Sequence, residues 1–197
     1  MAGCALPFFL TDPDTSKTVP AEYNKIGDRK LAVVVWADQS TMDEFSSARF
    51  QVSRAVTHFL RKHLEKARFV SARKVRALQA DPQDDWERLT PCQIADKLKC
   101  DLVLRLDLLD FTMRASDTPQ LRKARIRATL NLYDCDSGGA EAVYSDETRI
   151  IYPPGSLHGK QGITETDLLH QAVDYFAEAT ARKFYAHEIK LQDRPAD

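Results

Sequence analysis

Residues 29–37, RKLAVVVWA, form a short β-branched run, the pattern of a strand buried on both faces. The stretch DQSTMDEF that follows reads as a helix start, with Thr41 and Glu44 spaced as a capping box. Phe45, Ala48, Val52, Ala55, Val56, Phe59, Leu60 and His63 then recur at three- and four-residue steps, predicting one helix over about 41–66. ARFVSA (67–72) reads as a short second strand. Between 73 and 99 the pattern is helical in short pieces: DDWERL, then TPCQIADKLK with Thr90 as N-cap and Pro91 at the first helical position.

From residue 100 the period changes to two. Leu102, Leu104, Leu106 and Leu108 alternate with Arg105 and Asp107 in CDLVLRLDLLDFTM. Ala124, Ile126, Ala128, Leu130 and Leu132 alternate with Arg125, Arg127, Thr129 and Asn131 in the next run. DSGG (136–139) is a turn signal, and AEAVYSDETRII returns as a further strand. Beyond the loop YPPGSLHGKQG, Thr164 and Asp167 mark a cap. Leu169, Val173, Phe176, Thr180 and Phe184 mark the buried side of a helix over about 165–188.

Residues 11–24 are polar, carry two prolines and show neither period, so they read as a tether. The organisation expected is a start and tether over 1–24, a single α/β domain over 25–190 and a frayed tail over 191–197. The fold expected is a two-layer α/β sandwich: a mixed, mostly antiparallel sheet of about five strands with helices packed on one face.

Composition narrows the function classes. Of 197 residues, 28 are Lys or Arg and 29 are Asp or Glu, so the net charge of −1 exerts no long-range pull on nucleic acid. No run approaches the ~18–20 apolar residues of a bilayer-spanning helix. Arg105, Asp107, Arg125, Arg127, Glu147 and Arg149 are placed to line up as cross-strand pairs on a solvated sheet face or as a polar docking surface for another protein. Only Tyr133 offers an aromatic in phase there, which argues against a nucleic-acid partner.

Catalytic patterns are lacking, and the expectation is a non-enzymatic protein without cofactor or metal. GSLHGKQG (155–162) is a Gly-rich loop leading into a helix, but no Gly-Lys-Ser/Thr follows, so it is no phosphate loop. Tyr152, Gly155, His158, Lys160 and Gly162 are candidates for a docking or anion-binding loop. Ser156 and His158 lack a G-x-S-x-G frame. His58 and His63 lie about 140° apart around a helix at ~100° per residue, which does not suit a metal pair; His63 is expected half-buried beside the apolar stripe. Cys92 and Cys100 are eight residues apart, about 12 Å along one helix at ~1.5 Å per residue and too far to bridge. Together with Cys135 they are expected to be buried free thiols.

The opening MAGCALPFFL has two readings. As a cytoplasmic start it is a frayed end with a stray thiol. As the end of a lipoprotein signal, Ala-Gly-Cys is the small-residue box and Cys4 is the lipid attachment site. No basic or apolar segment precedes Cys4, so the second reading carries the further expectation of a signal encoded upstream of Met1. The tether from Cys4 to about Asn24 would reach at most roughly 65–70 Å extended, or ~25 Å as a coil.

RKLAVVVWAD, a long helix, a short strand, IADKLKCDLVLRLDLLDF, a strand ending LYDCDSGG and a last amphipathic helix together resemble a known fold group. It is shared by the amino-terminal domain of TolB, the curli secretion lipoprotein CsgG and the penicillin-binding-protein activator LpoB. The phrases that carry the resemblance are Leu98-Lys99-Cys100-Asp101 and Asp134-Cys135-Asp136-Ser137-Gly138. The resemblance spans residues 29–188. It implies a cell-envelope protein on the periplasmic face, held to the membrane through lipid on Cys4 and bound to another envelope protein. The alternative is a cytoplasmic domain binding a small molecule or nucleotide through loop 155–162. A hydrolase site assembled from distant residues is a third reading.

Overall fold

Leu31, Val33 and Val35 alternate with Ala32 and Val34 along strand Lys30–Trp36, and both sets are buried. That strand is central in a computed structural model that describes residues 16–115, 122–136, 141–155, 162 and 164–190. In chain order the elements are β1 (Ser16–Val19), β2 (Lys30–Trp36), α1 (Gln39–Glu44), α2 (Ala48–His63), β3 (Arg68–Phe69) and α3 (Ala72–Gln79). A 3₁₀ turn at Trp86–Arg88 precedes α4 (Pro91–Leu98), β4 (Leu102–Ala115), β5 (Arg122–Asp134), β6 (Ala142–Tyr152) and α5 (Glu165–Ala181). A second 3₁₀ turn, Arg182–Phe184, leads into β7 (His187–Lys190).

The main sheet has the order β3-β2-β4-β5-β6, with β2 parallel to β3 and β4 and the remaining pairs antiparallel. This is the mixed five-stranded α/β sandwich expected from the alternating runs. One face buries Leu31, Val33, Leu104, Leu106, Ile126 and Leu130 against Val52, Val56 and Leu60 of α2 and Leu168, Val173 and Phe176 of α5. On the opposite face a smaller cluster packs Ala32, Val34 and Val103 against Val75 of α3, Trp86 and Ile94 of α4, so β2 has helices on both sides. This explains why β2 reads as a continuous apolar run whereas β5 alternates.

Local signals held where local chemistry decides. Thr90 caps α4 through a full capping box with Gln93, and Pro91 fills its first turn. Thr164 caps α5, accepting from Asp167 N at 3.1 Å. The helix expected over 41–66 is instead two helices. Asp38, not Thr41, caps α1, its carboxylate accepting from Thr41 N at 2.8 Å. The break at 45–47 turns Phe45 into the core, where its ring meets Phe111 edge-on at 5.1 Å.

The helix expected over 165–188 ends at Ala181, and the 3₁₀ turn beyond it buries Phe184. Residues 187–190 then pair antiparallel with 16–19, so part of the expected tether is a strand. Each of these strands is four residues long and polar, and its hydrogen-bond partner lies at the other end of the chain. His63 is exposed rather than half-buried, and its ring stacks on Tyr185 at 4.0 Å.

The expectation of three free thiols is corrected. Cys92, in the first turn of α4, is disulfide-bonded to Cys135 just beyond β5, with Cα atoms 5.2 Å apart. Cys100 is free and lies past the end of α4, where Lys99 adopts φ 53°. Burial pushes the Cys100 thiol up to about 11, outweighing the nearby Lys30 charge. In the native protein at pH 8, alkylation of Cys100 is expected to run about 100-fold slower than in the unfolded chain, because the thiolate is the nucleophile. Timed iodoacetamide labelling with mass detection measures this; equal rates would refute it.

Candidate functional site

Where β4, β5 and β6 lie beyond the helices of the smaller cluster, their outer face is open. Arg125, Arg127, Thr129 and Asn131 of β5 and Ser145, Glu147, Arg149 and Ile151 of β6 point there, opposite the buried alternate residues. A register irregularity between Leu108 and Asp110 inserts Leu109 as an extra residue. The bulge leaves Leu109 48% exposed, sets Asp110 opposite Arg127 and returns Phe111 to the core opposite Ile126.

The charges there pair only in part. Arg105 Nε donates to Asp107 Oδ1 at 2.7 Å along one strand, and Arg125 lies 3.7 Å from Asp110 across two. Arg127 and Arg149 sit directly opposite one another in the β5–β6 register, and among the described residues neither has a carboxylate within ion-pair distance. Like charges in opposed positions destabilise a sheet by tenths of a kcal/mol or more, on the order of 0.2–1 kcal/mol. Ile151, opposite Arg125, is 42% exposed and sits two residues from Arg149. The result is a cationic centre flanked by apolar side chains on an uncovered face. β6 is also the last strand of the sheet, so its outer backbone edge has no strand beside it among the described residues. Charged edge residues such as Glu147 and Arg149 restrict what pairs there.

The loop singled out from sequence is only partly described. Tyr152 is held to the helical layer, its hydroxyl donating to Gln171 Oε1 at 2.8 Å, and it faces away from the arginine pair. Gly155 and Gly162 have φ of 67° and 73°, a left-handed backbone that glycine adopts without a Cβ penalty. Cys4, His158 and Lys160 lie outside the described residues.

A second polar cluster is structural. Lys183 bonds Asp146 and lies 3.5 Å from Glu22, and Tyr144 donates to Glu22 at 2.5 Å. Burial opposes ionisation of Asp146, but the Lys183 hydrogen bond holds its carboxyl below the usual range. Burial, then the bond to Glu22, pushes the Tyr144 phenol up. These groups satisfy one another and tie the segment after β1 to β6, leaving no free base or nucleophile. Among the described residues no cluster of three His, Cys, Asp or Glu side chains is set to hold a metal, and no helix is long and apolar enough to cross a membrane.

Fold and surface together define an open α/β sandwich with an uncovered, arginine-centred sheet face. No family model matches the chain, and no curated protein sequence matches it significantly. Solved structures resemble it. A variant of the PelC dodecamer from Paraburkholderia phytofirmans superposes with a TM-score of 0.50 at 14% identity, covering 86% of this chain and 96% of that one. The lipoprotein GNA1162 from Neisseria meningitidis gives 0.48 at 13% identity, over 78% of this chain and 98% of that one. Neither carries the name of TolB, CsgG or LpoB; the likeness to the PelC structure speaks to the fold alone.

Proposed function

We propose that this protein is an exported, lipid-anchored component of the bacterial cell envelope, attached through Cys4, whose domain docks other envelope proteins and performs no catalysis. The observation that carries the reading is the Cys92–Cys135 disulfide. Disulfides persist in oxidising compartments and are rare in the cytosol, so the bond favours the exported reading of the opening Ala-Gly-Cys box. The uncovered face of β4–β6 supplies the docking surface, where guanidinium groups beside exposed Leu109 and Ile151 suit a protein interface. A PelC structure with the same fold is a dodecamer, which makes a second copy of this chain the first partner to test.

The test is the mass of the amino-terminal peptide and the thiol state of the protein taken from its native cell. A peptide beginning at diacylglyceryl-modified Cys4, with Cys92 and Cys135 oxidised, is the expected result. A peptide beginning at Met1 or Ala2, with both cysteines reduced, would overturn the reading and place the domain in the cytoplasm.

A further inference from the structure

Arg54, His58 and Arg61 follow one another at four- and three-residue steps along α2, which places them on one exposed ridge. Ser71 and Ala72 at the start of α3 stand beside the ridge, and His170 and Asp174 of α5 line the same space. Together they enclose a basin of about 570 Å³, within the ~300–1,000 Å³ range of small-ligand sites. Its depth comes from short buried side chains, with Ala55 and Ala72 each 9% exposed.

The lining is cationic. Arg54 and Arg61 have no carboxylate within ion-pair distance among the described residues; the Arg61 guanidinium lies 5.8 Å from the centre of the Phe69 ring instead. Asp174 is the one carboxylate in the lining. Ser71 caps α3, whose first turn holds no acidic residue, so the positive end of that helix is not offset there. Arg49 of α2, by contrast, pairs with Glu87, and Arg182 in the turn beyond α5 pairs with Glu178. A concave surface that gathers two guanidinium groups without carboxylate partners and two imidazoles around small residues has the chemistry of an oxyanion receptor.

We propose that this basin binds a phosphate-bearing ligand. Planar guanidinium forks match phosphate oxygens in paired hydrogen bonds, which assigns the charged contacts to Arg54 and Arg61. The two residues are seven apart, about 10 Å along the helix axis at ~1.5 Å per residue, with His58 between them on the same ridge, and all three line the basin. Asp174 repels an anion from the α5 wall and leaves the side toward α2 and α3 as the seat. The site does not depend on the anchoring of Cys4 or on the sheet face opposite.

Two sources present this chemistry, a soluble phosphate ester and the headgroup of an anionic phospholipid, and one experiment separates them. The full chain carrying Cys4→Ser, and the same chain with Arg54→Ala and Arg61→Ala added, are titrated at constant ionic strength. The probes are inorganic phosphate, glycerophosphoglycerol, and vesicles of phosphatidylglycerol or of phosphatidylcholine alone. Circular dichroism melts confirm that both proteins remain folded, and a single Arg54→Gln variant replaces the double one if it does not. Saturable binding of a soluble probe, weakened roughly tenfold per arginine removed, supports a soluble ester. Binding confined to phosphatidylglycerol vesicles and lost with the arginines supports the headgroup. Absence of binding to every probe, or binding that survives the substitutions, overturns the proposal.

Discussion

Replacing Cys135 with serine is expected to lower the stability of the protein by about 4 kcal/mol, because the lost bond closes a long loop in the unfolded chain. The two cysteines are separated by 43 residues, and the bond joins the first turn of α4 to the end of β5. Cys135 packs against the smaller cluster around Trp86 and Val103, to which α4 contributes Ile94, Ala95 and Leu98, and that cluster has far fewer buried side chains than the core beneath α2 and α5. The bond therefore acts where hydrophobic burial contributes least. For a chain of this length the loss corresponds to a fall in Tm of roughly 10 °C. Cys92→Ser should cost the same, and the double variant little more than either alone. Thermal melts of the three variants, with and without reductant for the native protein, check the prediction. A Tm indifferent to reductant and to all three substitutions would show that the bond contributes nothing.

A loss of similar size is expected for Phe176→Ala. Phe176 is fully buried on α5 and belongs to the main core with Leu168, Ala172, Val173 and Ala177 of the same helix. Truncating a buried phenylalanine removes its transfer free energy and leaves a cavity that the sheet beneath cannot close, for about 3–5 kcal/mol. Against a typical total of about 5–15 kcal/mol, this removes a large fraction of the stability of the protein. Tyr175, its neighbour in sequence, is 37% exposed and reaches Tyr152 at 5.8 Å, so Tyr175→Ala should cost about 1 kcal/mol or less. Urea denaturation compares the two. Equal losses at the two positions would contradict the assignment of the buried face of α5.

Much of the fold was legible because its causes are local. Alternation along 102–108 and 124–132 requires only that one side of each strand be buried, and every leucine of the first set and every apolar residue of the second is in the core. The caps at Thr90 and Thr164 depend on residues three positions away. The break before Ala48 was not legible, since the apolar period continues through Phe45; the contact with Phe111 accompanies it. Nor were β1 and β7, which among the described residues have no strand partner but each other.

The candidate sites divide in the same way. The outward arginines were readable from a period of two. Their pairing was not, because the bulge at Leu109 resets which β4 residue faces Arg127 and the β5–β6 register opposes Arg127 to Arg149. The basin over α2 left no sequence signal beyond an ordinary solvated helix face, since its walls come from α3 and α5. The sequence by itself determined the strands of the main sheet, the buried faces of those strands and of α2 and α5, and the caps at Thr90 and Thr164, all of which follow from interactions within a few residues of the chain. Tertiary structure alone decided the Cys92–Cys135 bond, the β1–β7 pair, the unpaired arginines and the basin, because each joins residues whose separation along the chain says nothing of their distance in space.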